Sequence, residues 1–137
     1  VTAPARAPHR DLRLVGLVAL GGAVGSVLRY LVSVALPVTG GGWPWGTFMV
    51  NVVGAFLLGW LLEALAMRGR ESERLRRARL FAGTGVLGGF TTYSTLALEA
   101  YEQAAFSAWA LGLAYAVATL VLGTLAALLG VAVGRRT

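Results

Sequence analysis

Residues 82–95 read AGTGVLGGFTTYST. Four glycines, Gly83, Gly85, Gly88 and Gly89, lead into a run of hydroxyl side chains, Thr91, Thr92, Tyr93, Ser94 and Thr95. Each glycine inside a helix costs about 1 kcal/mol relative to alanine, so a continuous helix against lipid gains little from this composition. Small residues let helices pack closely, which is one reading of the glycines. The other is a break at mid-membrane, where freed carbonyls and amides face an ion, as in discontinuous transporter helices. Non-helical backbone at that depth survives only when it is buried in protein or lines a polar cavity. The glycines alone leave both readings open, and the adjoining hydroxyls favour the break.

The sequence around this stretch is that of a membrane protein. Of 137 residues, 57% are hydrophobic and 13% charged, against about 25% charged in a soluble domain, and the mean hydropathy is +0.72. A bilayer core of about 30 Å takes about 20 apolar helical residues to cross. Four stretches reach that length, at 14–36, 47–67, 80–98 and 104–133. Pro37 ends the first, and the linker 38–45 carries Trp43-Pro44-Trp45, which reads as an interfacial aromatic anchor. A charged loop occupies 68–79, and a short acidic turn with Glu99 and Glu102 precedes the last span. The expected architecture is an all-α membrane protein with four transmembrane helices, the third broken. It forms one domain at 14–133, with an N-terminal tail at 1–13, including His9, and a C-terminal tail at 134–137. The first apolar stretch exceeds the h-region of a signal peptide.

The charges are arranged by side. All twelve basic residues are arginine and there is no cysteine, so disulfides, thiolate metal sites and thiol catalysis are excluded. A pI near 11.1 by itself points to nucleic acid. Here the arginines flank the spans, so topology and anionic membrane lipid explain them and no nucleic-acid partner is expected. With four spans, the tail, the middle loop and the C-terminus share one side and carry three, six and two arginines, while the opposite side has none and two carboxylates. The positive-inside rule then puts both termini in the cytoplasm, with the protein in the inner (plasma) membrane. No acid–base pair or nucleophile constellation lies in any span, so an enzyme is not expected.

Three motifs in order carry a family resemblance: GGAVGSVLRY at 21–30, WGTFMVNVVGAFLLG at 45–59 and GGFTTYST at 88–95. Over residues 14–133 the chain resembles the Fluc (CrcB) fluoride channels. That resemblance implies an antiparallel dimer with two anion pores and a sodium ion on the dimer axis. Asn51 matches an asparagine facing the fluoride pathway, whose amide offers two donors without fixed charge; read alone, it is better explained by an interhelical hydrogen bond. Gly88 and Thr91 match positions whose backbone carbonyls hold the sodium ion, and Ser94 and Thr95 match polar groups of the broken segment. Tyr115 and Thr119, four apart and so on one helix face, match the start of a polar track that Gly123 continues without a hydroxyl; otherwise they read as packing residues. Arg29 matches a vestibule arginine, although it lies about 22 Å along its helix, where snorkelling also accounts for it. Glu99 matches a carboxylate after the break, or a solvated helix end.

Two features depart from the family pattern. The family has two phenylalanines three apart in the broken segment, with electropositive ring edges for the anion. This chain has Tyr93 and Leu96 there. Family homodimers also insert in both orientations, which needs a weak arginine bias. Both departures fit a subunit of fixed orientation paired with an oppositely biased paralogue. Two alternatives compete with a conducting subunit. One is a non-conducting partner subunit. The other is a small multidrug-type exporter, which needs a carboxylate within the first span, where none occurs.

Overall fold

The computed structural model describes residues 11–38, 42–69, 72–106 and 108–137, and their regular structure is entirely helical. Helix α1 spans Leu12–Ala35 and is capped by Asp11, whose carboxylate accepts the Arg13 N–H at 3.0 Å. Such caps satisfy one of the donors that a helix start leaves open. Helix α2 spans Trp45–Ala66 behind Pro44, and Gly69 beyond it takes a left-handed φ of 89°. Helix α3, Glu73–Ala78, starts on the Ser72 hydroxyl, which accepts the Leu75 N–H. A π-helical segment, Arg79–Leu87, follows and passes into the short helix α4, Gly88–Phe90. The backbone is extended at Thr91 and restarts as α5, Tyr93–Phe106, before α6, Trp109–Gly134.

Three of these helices, α1, α2 and α6, are long and apolar enough to cross a membrane. Their directions follow from who touches whom. The C-terminal end of α1 meets the N-terminal end of α2 at Leu36 and Gly46, so these two are antiparallel. Glu63 and Arg135 pair at 3.0 Å, joining the C-terminal ends of α2 and α6, so those two run parallel. The chain between them must therefore return from one end of the bundle to the other. It does so alongside α1: Phe81 lies by Gly21, Val86 by Gly25, and Thr91 by Arg29.

That return path corrects the expected boundaries. The third span, expected at 80–98 and broken, is a π-segment, a half-turn of α-helix, a break and a new helix that runs past 98. The acidic turn expected at Glu99 and Glu102 lies inside α5, which runs on to Phe106. No glycine or proline interrupts residues 91–106, and nothing else there stops a helix once it has restarted. The last helix accordingly begins at Trp109 rather than 104. The break also sits off centre: it is bonded to Asn51, about 9 Å from the tryptophan end of α2 at 1.5 Å per residue.

The glycines serve both purposes that the sequence left open. A Cβ on Gly25 would collide with the Val86 carbonyl, and one on Gly89 with the Gly22 carbonyl. Those positions bring α1 and the returning segment into backbone contact. Gly88 is different, being exposed at the break with no such neighbour. Most of the long helices' apolar side chains face outward, among them Leu20, Leu28, Leu120 and Leu128. An apolar surface of that extent needs a membrane or a partner to cover it.

Candidate functional site

The break is held open by one side chain. Asn51, on the second turn of α2, accepts the Thr92 N–H at 2.8 Å through Oδ1 and donates Nδ2–H to the Thr92 carbonyl at 3.0 Å. In an uninterrupted helix the Thr92 N–H would bond the Gly88 carbonyl four residues back. Asn51 takes it instead, so the helix ends and the Gly88 carbonyl is released. The alternative in which Asn51 makes an interhelical hydrogen bond is thus realised, twice over. One Nδ2 hydrogen remains uncommitted to Thr92, since the amide carries two.

Thr92 also restarts the chain as a helix. Its hydroxyl accepts the Thr95 N–H at 3.2 Å, as an N-cap does. The same oxygen donates to the Thr95 hydroxyl at 3.0 Å and lies 3.3 Å from that of Ser94. Part of the hydroxyl run is therefore the cap that a helix beginning inside a bundle requires. With Thr95 capped, the N–H groups of Tyr93 and Ser94 are the remaining donors of the first turn, which carries the positive end of the helix dipole.

Two cavities flank the break. The larger, about 410 Å³ and open on one side, is lined by Asn51, Tyr93, Leu96, Thr119, Gly123 and Thr124 among others, and by no charged residue. The smaller, about 250 Å³, is lined by Arg29, Ser26, Ser33, Thr47 and Thr95, with Thr92 reaching both. The Arg29 guanidinium is drawn inward, donating to the Thr91 carbonyl at 3.3 Å, so it does not snorkel along lipid. Leu96 is buried (6% exposed), whereas Tyr93 on the same groove is 80% exposed. Thr119 is buried, and its hydroxyl donates to the Tyr115 carbonyl at 2.8 Å.

Four of the expected residues, Gly88, Ser94, Tyr115 and Glu99, stand apart from these cavities. Gly88 and Ser94 line neither, and both are exposed. Tyr115 is fully buried; its ring packs edge-on against Trp43 at 5.3 Å, and its hydroxyl donates to Glu99 at 2.7 Å. Glu99 accepts a second hydroxyl, that of Thr47, at 2.8 Å. Glu99 is therefore not a solvated helix end but a carboxylate clamped by two hydroxyls from two other helices.

Sequence reading missed Thr47, Thr92 and Thr124 as members of the site. The Thr92-x-x-Thr95 spacing is that of an N-cap and was a usable signal for the restart. Thr124, beside Gly123, supplies the hydroxyl that Gly123 lacks, although it donates to the Leu120 carbonyl at 2.7 Å. Nothing local marks Thr47, whose partner lies 52 residues away.

Residues 16–131 match the family model described as CrcB-like protein, Camphor Resistance (CrcB). The chain is 49% identical over 126 residues to the fluoride-specific ion channel FluC 2 of Leifsonia xyli subsp. xyli, covering 92% of this chain and 86% of that protein. It is 50% identical over 121 residues to the fluoride-specific ion channel FluC of Caulobacter vibrioides, covering 88% and 94%. A third relative, the fluoride-specific ion channel FluC of Agrobacterium fabrum, is 48% identical over 124 residues, covering 88% and 95%.

Proposed function

The chain belongs to the CrcB-like family, and from that premise we propose that it is a subunit of a fluoride-selective channel that lets fluoride leave the cell passively. Relatives covering nearly all of its length are named fluoride-specific ion channels. The observation that carries the reading is the Asn51–Thr92 pairing. It fixes a helix start beside an uncharged groove and leaves an amide hydrogen and two backbone N–H groups as donors. Fluoride holds water tightly and must exchange it for donors of this kind. A site of neutral donors binds the anion without trapping it, as conduction requires. The Arg29 cavity adjoins the groove through Thr92, and its charge concentrates anions at the entrance.

The returning segment serves as the broken third span, so that the chain crosses the membrane four times. The groove is open on one side, and Tyr93, Ser94 and Gly88 face outward at the break. Non-helical backbone such as that at Thr91 is unfavourable against lipid, which supports a second, antiparallel subunit covering the break. Fluoride's path then takes in Asn51, Tyr93, Leu96, Ser94, Thr95 and Thr119, with Tyr115 held at its edge by Glu99.

The carbonyls of Gly88 and Thr91 fit a sodium ion at that interface. Gly88's is released by the break, and Thr91's lies in extended backbone and has a second lone pair beside the Arg29 bond. Unwound carbonyls are a recurring sodium ligand. Such an ion supplies structural charge that ties two breaks together.

Among the described residues, the arginines other than Arg29 gather at the end of the bundle formed by the start of α1, α3 and the ends of α2 and α6. That asymmetry supports cytoplasmic termini in the inner membrane and a single orientation. A chain of fixed orientation pairs with an oppositely biased paralogue; relatives numbered FluC 1 and FluC 2 support paired genes. Expression in a bacterium that lacks fluoride export tests the function. Growth on fluoride should return when the chain and such a partner are both present. Continued sensitivity, with both proteins in the membrane, would refute it.

A further inference from the structure

The arginine end of the bundle carries a groove that the fluoride path does not use. Its volume is about 330 Å³, and it is lined by Leu62, Leu65 and Ala66 of α2, Gly69 beyond it, Leu75 of α3 and Arg79. Its walls are apolar except for that arginine. Helix α2 has 22 residues, about 33 Å at 1.5 Å per residue against a hydrocarbon core of about 30 Å. Its last turn, and so this groove, therefore lies where hydrocarbon gives way to headgroups. Residues 68–79 hold six arginines and two glutamates. One of those glutamates, Glu73, is shared between Arg76 and Arg77 at 3.5 and 3.2 Å. By sequence the loop carries a net charge of +4, and Arg79 brings part of it to the groove wall.

We propose that this groove binds one anionic phospholipid, with an acyl chain against Leu62, Leu65 and Leu75 and its phosphate among Arg79, Arg74 and their neighbours. A zwitterionic lipid offers the same chain but no net charge, so selectivity comes from the arginines and retention from the groove. The inference rests on α2 crossing the membrane. It concerns the end of the bundle remote from the Asn51–Thr92 break, and it ties that end to the leaflet richer in anionic lipid.

Native mass spectrometry of the detergent-purified full chain, mixed with equal amounts of phosphatidylglycerol and phosphatidylcholine, reads the site directly. The parent should retain phosphatidylglycerol preferentially. A basic residue near an anionic surface strengthens binding about fivefold, so the double variant Arg74→Gln/Arg79→Gln should lower that retention about 25-fold. Arg74→Lys/Arg79→Lys keeps the charges and should restore it. Leu65→Trp fills the groove with all charges kept, and should lower retention of both lipids. Equal retention of the two lipids by the parent would overturn the proposal, as would unchanged phosphatidylglycerol retention in Leu65→Trp. Fluoride efflux from liposomes holding the chain together with its oppositely biased partner reads the channel independently, so loss of one signal with the other intact identifies which reading failed.

Discussion

Replacing Asn51 with aspartate changes one atom's chemistry at the point on which the break depends. Oδ1 can still accept the Thr92 N–H, now at 2.8 Å. The second oxygen, in place of Nδ2, meets the Thr92 carbonyl at 3.0 Å, two acceptors facing each other where a hydrogen bond stood. A buried polar group left without its partner costs about 1–3 kcal/mol, and more when charged, so the protein should be weakened, and only variant protein that remains folded is assayed. Transport should suffer far more. A fluoride ion about 4 Å from a carboxylate is repelled by about 4 kcal/mol at an effective dielectric near 20, about a thousandfold in rate at 1.36 kcal/mol per decade. The assay is fluoride efflux from proteoliposomes holding the chain with its oppositely biased partner, followed with a fluoride electrode, on protein that elutes from size exclusion as the parent does. Asn51→Asp at the parental rate would refute the reasoning, because the pathway would then not pass this amide.

Three further outcomes follow from particular contacts. Gly89→Val should destabilise the chain by about 3 kcal/mol, because its side chain must displace the Gly22 backbone; a drop in yield and thermal stability measures it. Thr92→Val keeps the branched shape but removes the α5 cap, costing about 1 kcal/mol. Thr95→Val, which leaves the cap in place, should cost less in the same denaturation assay. C-terminal reporter fusions should place that end in the cytoplasm in nearly every copy, and neutralising the six arginines of residues 68–79 should produce a mixture.

The sequence made the spans legible because their apolar runs match the bilayer's thickness, and the break because glycines and hydroxyls are costly in lipid. Helix ends were harder to read. Glu99 and Glu102 look like a turn between spans, yet a helix restarted by Thr92 has no reason to stop before Phe106. The motif residues divided in the same way. Asn51 was found by its polarity in an apolar helix, but its use of both amide atoms on the Thr92 backbone is set by how α2 lies against the break. The Thr47–Glu99–Tyr115 contacts join three helices across 52 and 16 residues, and no local pattern announces them. The glycines' two roles separate only when the neighbours are known: Gly89 meets the backbone of α1, and Gly88 makes no such close approach.

The most direct measurement of the central claim is ion selectivity. The chain, co-expressed with a four-span paralogue of opposite arginine bias, is purified as the pair and reconstituted into liposomes loaded with fluoride and chloride. Passage along neutral donors at the break predicts rapid fluoride efflux with chloride retained, and loss of the fluoride signal in Asn51→Asp. Equal efflux of the two anions from the intact pair would contradict the account.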